Sequence, residues 1–197
     1  MVRLVALSLF GAALAVGAVP QVAAAAPVAD RLGVPGPLQF DGKQFSLAWS
    51  ASPDANYTKQ EYLPAGQAPR SYRQMLLVER LTGDLKPLDA ARAQVRMLDQ
   101  RKASDPLVNM DLIQNQASGE ALLDFIVSSR DAAGNIIVEW NAYRYAPAPG
   151  GKPGVLLFGI SHRSYGATEA KTFLGRLKAL RPEQIKTLTA TPLPKPR

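Results

Sequence analysis

Between residues 45 and 81 the chain alternates apolar and polar positions, and this pattern predicts β-strands because successive side chains of a strand point to opposite faces. Phe45, Leu47 and Trp49 are the apolar positions of the first segment, which ends at the turn residues 53–54. Segment 57–63 is the second predicted strand. Segment 72–81 fits both the strand and the helix pattern, and we interpret it as a third strand.

An amphipathic helix is predicted for residues 87–101. Pro87 suits the first helical position, where a missing N–H group costs nothing. Leu88, Ala91, Val95 and Leu98 recur at helical spacing and form one apolar face. The helix cannot continue through residues 105–106, because a residue that precedes proline is disfavoured in helical geometry.

Four strands follow, at residues 107–116, 120–129, 136–145 and 155–162, and their short connections predict an antiparallel meander. A two-residue turn at Ser118 and Gly119 pairs Leu112 with Phe125. A second two-residue turn within 133–135 places Trp140 beside Val127.

These registers separate the meander into two faces. The predicted core face carries Phe125, Trp140 and Phe158, and it brings His162 to the core side at the end of the last strand. The second face mixes polar and apolar side chains. It carries Asn109, Asp111, Ile113, Leu122, Asp124, Ile126, Ile137, Glu139, Asn141, Tyr143 and Tyr145.

A second amphipathic helix closes the domain. Thr168 is the predicted N-cap, Glu169 favours the first turn, and Arg181–Pro182 is the predicted end. Its apolar face consists of Ala170, Phe173, Leu174, Leu177 and Leu180. The element order predicts an α+β fold, with an antiparallel sheet of about six to seven strands, a C-terminal four-stranded meander and two main flanking helices.

The N-terminus has the three parts of a secretory signal peptide. Arg3 supplies a positive charge, residues 4–19 are uncharged, and Ala23 and Ala25 stand at cleavage spacing. A membrane anchor would need roughly 20 apolar residues, more than this run provides. The predicted organisation is a signal peptide at 1–25, a linker at 26–37, one α+β domain at 38–186 and a disordered, proline-rich, basic tail at 187–197.

Composition favours a bacterial periplasmic protein, with secretion into the medium as the alternative. The chain has no cysteine, whereas exported animal domains commonly carry disulfides. Its net charge is +7, and it becomes +6 when cleavage removes Arg3. This charge favours another envelope protein or an anionic envelope component as partner, although scattered lysines and arginines also serve solubility. Nucleic acid is not an expected partner, and no transmembrane segment is expected after cleavage.

Candidate chemistry is sparse. His162 is the single histidine, so no zinc, haem or iron–sulfur site is predicted, and no cofactor is expected. Ser161 and His162 are adjacent on a strand and therefore point to opposite faces. Asp124 and Glu139 share the predicted second face, and two such carboxylates could serve an envelope hydrolase. We predict no catalytic residues and keep the hydrolase as an alternative.

The second face is the strongest functional clue in the sequence. It is too apolar for a fully solvated surface and too polar for a core. Two explanations remain open: a helix covers it, or it binds a partner or ligand through Asp124, Glu139, Asn141, Tyr143 and Tyr145. We therefore predict an exported, non-enzymatic binding or assembly-accessory domain. A periplasmic inhibitor or immunity protein against a toxin or hydrolase is the alternative within the binding class.

Residues 61–67, Glu-Tyr-Leu-Pro-Ala-Gly-Gln, followed by Tyr72 and Met75, resemble a segment of small exported bacterial proteins of unknown function. Those proteins have Glu in place of Gln67 and Trp in place of Tyr72. The order of elements also resembles PsbP-like domains, in which helices flank an antiparallel sheet. This resemblance implies a binding or assembly-accessory role and supplies no catalytic residues.

Overall fold

The computed structural model describes residues 27–197 of the chain. The predicted signal peptide and its cleavage point lie outside the described residues. Eight strands and two helices follow one another along the described part. They are β1 (Leu38–Phe40), β2 (Lys43–Asp54), β3 (Tyr57–Leu63), β4 (Gln74–Thr82), α1 (Pro87–Arg101), β5 (Asn109–Asn115), β6 (Glu120–Arg130), β7 (Ile136–Pro147), β8 (Gly154–Tyr165) and α2 (Gly166–Ala190), with one 3-10 turn at Pro149–Gly151.

All eight strands form a single antiparallel sheet in the order β1-β2-β3-β4-β8-β7-β6-β5. The α+β class is confirmed, and so is the four-stranded meander, because β5 to β8 lie side by side in chain order. The count of about six to seven strands was too low. The additional strand, β1, is only three residues long, so it is too short to show an alternation in the sequence.

Each face of the sheet is covered by one helix and has its own hydrophobic core. On the α1 face, Ala91 and Leu98 pack with Leu123 and Phe125 of the sheet. On the α2 face, the core is built around Trp140 and includes Phe158, Ile126 and the helix residues Ala170, Leu177 and Leu188. The fold is therefore three layers, helix on sheet on helix.

The predicted pairing of β5 with β6 was wrong by two residues. Phe125 pairs with Met110 rather than with Leu112, because the connection has four residues, 116–119, instead of two. Asn115 stabilises this longer turn, since its Oδ1 atom accepts the N–H groups of Ala117 (3.1 Å) and Ser118 (3.3 Å). A shift of two residues leaves each side chain on its predicted face.

The predicted pairing of β6 with β7 was also wrong, and here the error exchanges the faces. Arg130 pairs with Ile136, so the connection is the five residues 131–135 rather than a two-residue turn. Asp131 closes it by accepting the N–H groups of Ala133 (2.9 Å) and Asn135 (2.8 Å). Because five residues differ from two by an odd number, every side chain of β7 points to the face opposite to the predicted one.

The reversed parity places Trp140 beside Ile126 and on the opposite face from Phe125. The prediction that Phe125, Trp140 and Phe158 share one face is therefore wrong. The prediction that Trp140 is buried is confirmed, because none of its surface is exposed. His162 is also buried, as expected, and it lies 3.1 Å from Oε1 of Gln184 on the α2 face.

Helix α1 and strand β4 form where the sequence predicts them. Helix α2, however, begins at Gly166 and continues through Pro182 to Ala190, so the predicted end at Arg181–Pro182 is wrong. Tertiary contacts on both sides of the proline compensate for the hydrogen bond that proline cannot donate. Arg181 binds Asp124 at 2.7 Å, and Leu188 is completely buried. Neither helix of the described residues is long and apolar enough to span a membrane.

The C-terminal segment is held to the fold rather than free. The Arg144 guanidinium donates to the backbone carbonyls of Leu188, Thr189 and Thr191 at 3.4, 3.2 and 3.1 Å. It therefore satisfies carbonyl groups that lack partners within the helix. The N–H group of Arg197 donates to the carbonyl of Leu32 at 2.9 Å. The structure differs here from the predicted disordered tail at 187–197.

The described part of the predicted linker is packed in the same way. Leu32 and Val34 are buried in the α2-face core. Gln60 holds this segment, because its Oε1 atom accepts the N–H groups of Arg31 (2.6 Å) and Leu32 (2.9 Å). The Tyr62 hydroxyl donates to the carbonyl of Val34 at 2.6 Å. Tertiary hydrogen bonds of this kind leave little trace in a local sequence pattern.

The segment at 61–67 has a structural role in this fold. Its Tyr62 is completely buried and anchors the N-terminal segment. Its Gln67 accepts the N–H groups of Arg73 (2.7 Å) and Gln74 (3.1 Å) at the start of β4. Gly66 adopts a positive φ of 78°, which glycine tolerates without strain. These residues fix the turn between β3 and β4.

Candidate functional site

The five residues of the second face that were predicted to bind a partner or ligand do not lie together. Glu139, Asn141, Tyr143 and Tyr145 are on the α1 face, beside Val127, Phe125, Leu123 and Ala121 of β6. Asp124 pairs with Ala142 and lies on the α2 face. Leu122, Asp124 and Ile126 were expected beside the two tyrosines, and this prediction is wrong. They lie on the opposite face, because the five-residue loop before β7 turns its side chains to the other side of the sheet. A hydrolytic pair formed by Asp124 and Glu139 is excluded, since the sheet separates them.

Asp124 connects the sheet to α2. Its carboxylate accepts the indole N–H group of Trp140 at 3.2 Å and binds the Arg181 guanidinium at 2.7 Å. The carboxylate is almost fully buried, and both interactions satisfy its charge. We assign Asp124 a structural role in fixing α2 against the sheet.

Glu139 belongs to a second charged cluster, at one end of the α1 face. It accepts hydrogen bonds from the Tyr72 hydroxyl (2.9 Å) and from Nε of Arg163 (2.6 Å). The Arg163 guanidinium also lies 4.1 Å from the centre of the Tyr72 ring. Burial raises the pKa of Tyr72, with the Glu139 charge as the next largest cause. Tyr72 is therefore a neutral hydrogen-bond donor, and the cluster is internally satisfied.

Asn141 is completely buried next to this cluster. Its Oδ1 atom accepts a hydrogen bond from the Ser161 hydroxyl. Its Nδ2 group has no hydrogen-bond partner among residues 27–197. The Asn141 side chain lies inside the packed layer, so no part of it is available at the protein surface.

Tyr143 and Tyr145 lead to a different site, a cleft between α1 and the strands β3, β4, β7 and β8. We call it the tyrosine cleft, and we define it by five polar lining residues of the sheet, Tyr57, Lys59, Glu79, Tyr143 and Tyr145; Gln94 of α1 is the remaining polar residue of the lining. Its volume is about 460 Å³. Three tyrosines, one lysine and one glutamate therefore converge on a single concave surface.

Small and apolar residues make room for the cleft and form its floor. Leu81 and Leu157 come from the sheet, and Ala90 and Ala93 are the small residues of α1 that face the cleft. Met97 of α1 stands at the rim with 63% of its surface exposed. A mainly apolar concavity with a few convergent polar groups is the usual form of a small-molecule site.

Gly159 allows Tyr143 to reach the cleft. It is the direct neighbour of Tyr143 on β8, and a Cβ atom at Gly159 would lie 2.7 Å from the Tyr143 ring. The ring therefore lies across the bare backbone of Gly159. Phe125 supports the ring edge-on, with 5.0 Å between ring centres, and Tyr145 lies 6.4 Å away. Burial raises the pKa of the Tyr143 hydroxyl, which stays protonated at neutral pH.

Glu79 is the most unusual residue of the cleft, because 92% of its surface is buried (8% exposed). Its Oε2 atom accepts the Tyr57 hydroxyl at 2.9 Å, and its Oε1 atom lies 3.7 Å from Nζ of Lys59. The same Nζ atom is closer to Glu61, at 3.1 Å. Burial raises the pKa of the Glu79 carboxyl, and Lys59 and Tyr57 offset this effect only in part.

The sequence pattern missed Tyr57, Lys59 and Glu79. A signal was present in β4, where Met75, Leu77 and Leu81 share a face with Glu79. A carboxylate at an otherwise buried position is rare unless it is paired, so it indicates either an ion pair or a site. Within residues 27–197, no three His, Cys, Asp or Glu side chains are grouped as metal ligands.

No curated protein and no solved structure matches the chain. The resemblance to PsbP-like domains therefore remains a prediction. One family model matches residues 32–193, a range that includes both helices and all eight strands. The chain thus belongs to a bacterial protein family of unknown function.

Proposed function

We propose that the protein is an exported, periplasmic binding domain without a catalytic role, and that the tyrosine cleft holds its ligand. Export and location rest on the signal-peptide pattern of residues 1–25. The observation that carries the proposal is the cleft itself, in which three tyrosines and a buried carboxylate converge over an apolar floor. A volume of about 460 Å³ suits a small molecule.

The burial of Glu79 supports this assignment. A buried carboxylate disfavours the folded state unless its charge is matched, so it is a poor choice for a purely structural position. Residues of this kind are concentrated at functional sites. Leu77 and Leu81, on the same face of β4, show that the surroundings of Glu79 along the strand are apolar.

The arrangement of the remaining ionisable groups supports binding rather than catalysis. His162 lies on the α2 face, where it contacts Gln184, and is therefore separated from the cleft by the sheet. Glu139 is engaged by Tyr72 and Arg163. Tyr57 already donates its hydroxyl to Glu79. Within residues 27–197, the cleft lining contains no histidine, serine or cysteine, and its one hydroxyl–carboxylate pair, Tyr57 with Glu79, offers recognition groups for a ligand.

A pair of neighbouring tryptophan variants tests the proposal. Ala93→Trp fills the cleft from α1, whereas Arg92→Trp places the same side chain one residue away, at an exposed position outside the cleft lining. Each protein is incubated with periplasmic extract, repurified and weighed by native mass spectrometry. We expect a bound small molecule on the wild type and on Arg92→Trp, and at least about a tenfold lower occupancy on Ala93→Trp.

Thermal unfolding of each variant serves as the folding control, and Ala93→Leu supplies a milder block if the tryptophan disturbs α1. A bound molecule that remains on every folded cleft-blocking variant would show that the ligand site lies elsewhere. A wild-type protein that never retains a small molecule would contradict the proposed function.

A further inference from the structure

The charges at the tyrosine cleft do not balance. Lys59 is the single basic residue of the lining, and its ammonium group is shared between Glu61 (3.1 Å) and Glu79 (3.7 Å). Two carboxylates therefore compete for one ammonium group, and the shorter distance favours Glu61. The Glu79 carboxylate is left with incomplete compensation.

Hydrogen bonding does not remove this surplus. The Tyr57 hydroxyl donates to Glu79 at 2.9 Å, but a neutral donor leaves the negative charge in place. Glu79 is also only 8% exposed, so water provides little of the missing stabilisation. The remaining sources of compensation are a proton or a positively charged ligand.

The tyrosines favour the second source. The face of an aromatic ring carries a negative partial charge and attracts cations, more strongly where water is excluded. Tyr143 and Tyr145 lie on adjacent positions of one face of β7 with their ring centres 6.4 Å apart. Leu81 and Leu157 add apolar surface beside them. An anion would find no such complement, because the one lysine already contacts two carboxylates.

We propose that the tyrosine cleft binds an organic cation, in which an ammonium group lies against Glu79 and the tyrosines and an apolar body lies on the leucine floor. This inference deepens the proposed function and rests on it. The chemical class is an amine or quaternary ammonium compound. The surplus carboxylate selects the positive charge, and the cleft volume limits the size of the molecule.

Three probes of similar shape test the charge preference. Choline and 3,3-dimethylbutan-1-ol have the same skeleton and differ in the central atom of the trimethyl group, which is positively charged nitrogen in one and carbon in the other. The third probe, 3,3-dimethylbutanoate, carries a negative charge. Binding is measured as shifts of backbone amide signals in ¹⁵N-labelled protein produced from the full-length chain. We expect choline to bind about fivefold more tightly than the alcohol.

Glu79→Gln keeps the size and hydrogen-bonding capacity of the side chain and removes its charge. We expect this variant to bind choline about tenfold more weakly and to leave the binding of the alcohol unchanged. The matched control is Glu183→Gln, an identical change at an exposed position of α2. It should bind all three probes as the wild type does.

The results separate the two proposals. Equal affinity for choline and the alcohol, or tighter binding of the anion, with shifts at the cleft, would overturn the cation inference and leave the cleft as a binding site. Choline binding that is unaffected in Glu79→Gln would also overturn it. If no probe shifts the signals of cleft residues, both the inference and the proposed cleft are contradicted.

Discussion

Glu79 stands at a position of β4 that the strand pattern would assign to an apolar side chain. Its carboxyl pKa is raised in the folded protein because burial disfavours the charged form. Between the ordinary pKa of an unfolded glutamate and the raised value, the folded state binds more protons than the unfolded state. Stability must therefore decrease as pH rises through this interval.

The raised pKa of Glu79 leads to a testable prediction for the Glu79→Gln variant. The amide has no charge to desolvate and can still accept the Tyr57 hydroxyl, while Lys59 keeps Glu61 as its partner. We expect the variant to be more stable than the wild type at pH 7, by about 2 to 4 °C in melting temperature for a change of ~1 kcal/mol. The difference should shrink as the pH is lowered towards 4.5. Thermal unfolding across this pH range measures it, and a variant less stable at pH 7 would contradict the prediction.

At the scale of single residues, the sequence indicated burial better than it indicated partners. Trp140 and His162 were expected inside and are inside, because their strands carry local apolar runs. The roles of Lys59 and Glu79 depend on two strands that meet side by side and on the third charge, at Glu61. No pattern within one strand contains that information.

At the scale of elements, two turns decided how much of the sheet could be predicted. Glycines 119 and 134 marked both turns correctly, but Asn115 and Asp131 set their lengths by accepting backbone N–H groups. The first loop is two residues longer than predicted, and this even difference leaves each side chain on its predicted face. The second loop is three residues longer, and this odd difference places Tyr143 and Tyr145 on the other side of the sheet. Strand positions were therefore predictable, whereas the face presented by β7 depended on one residue of loop length.

Helix α2 shows why a proline signal can mislead at this scale. The last turns of the helix, after Pro182, are fixed by buried Gln184 and Leu188 and by the Arg144 guanidinium at the C-terminal carbonyls. These are long-range contacts with β7 and β8, and they outweigh the local preference of the proline. The sequence could have indicated them only through the apolar spacing of Leu177, Leu180 and Leu188.

Truncation tests the importance of this segment. Deletion of 187–197 removes buried Leu188 and the carbonyl groups that Arg144 binds, and it should therefore destabilise the protein substantially. We expect a loss of about 3 kcal/mol or more, roughly 6 to 12 °C in melting temperature. Circular dichroism during heating gives the measurement.

A shorter deletion provides the comparison. Removal of 195–197 takes away the hydrogen bonds that join Arg197 to Leu32 and to Arg80, and it leaves Leu188 in place. Together these contacts at the chain end contribute ~1 kcal/mol, so the melting temperature should fall by less than about 4 °C. Equal effects of the two deletions would mean that Leu188 and Arg144 do not stabilise the helix end.

At the scale of the whole molecule, the helix explanation of the mixed sheet face is confirmed for the face of β7 that carries the two tyrosines, whereas binding at that face stays a prediction. A helix does cover the face that carries Tyr143 and Tyr145, namely α1. The cover is incomplete, because small alanines of α1 face the strands where the cleft opens. The α+β class followed from the order of elements along the chain. The position of the cleft did not, because it depends on which face α1 covers.

The hydrogen bond between Arg197 and Leu32 brings the two ends of the folded domain next to each other. A circular permutant should exploit this closeness. A short glycine–serine linker would join Arg197 to the segment before Leu32, and new ends would be opened between Gly150 and Gly151, which are exposed in the loop before β8. Because the linker spans a short distance, it adds little closure entropy, and we expect the permutant to fold with the wild-type near-ultraviolet circular dichroism spectrum. The continuity of the backbone between β7 and β8 would then be dispensable for the topology.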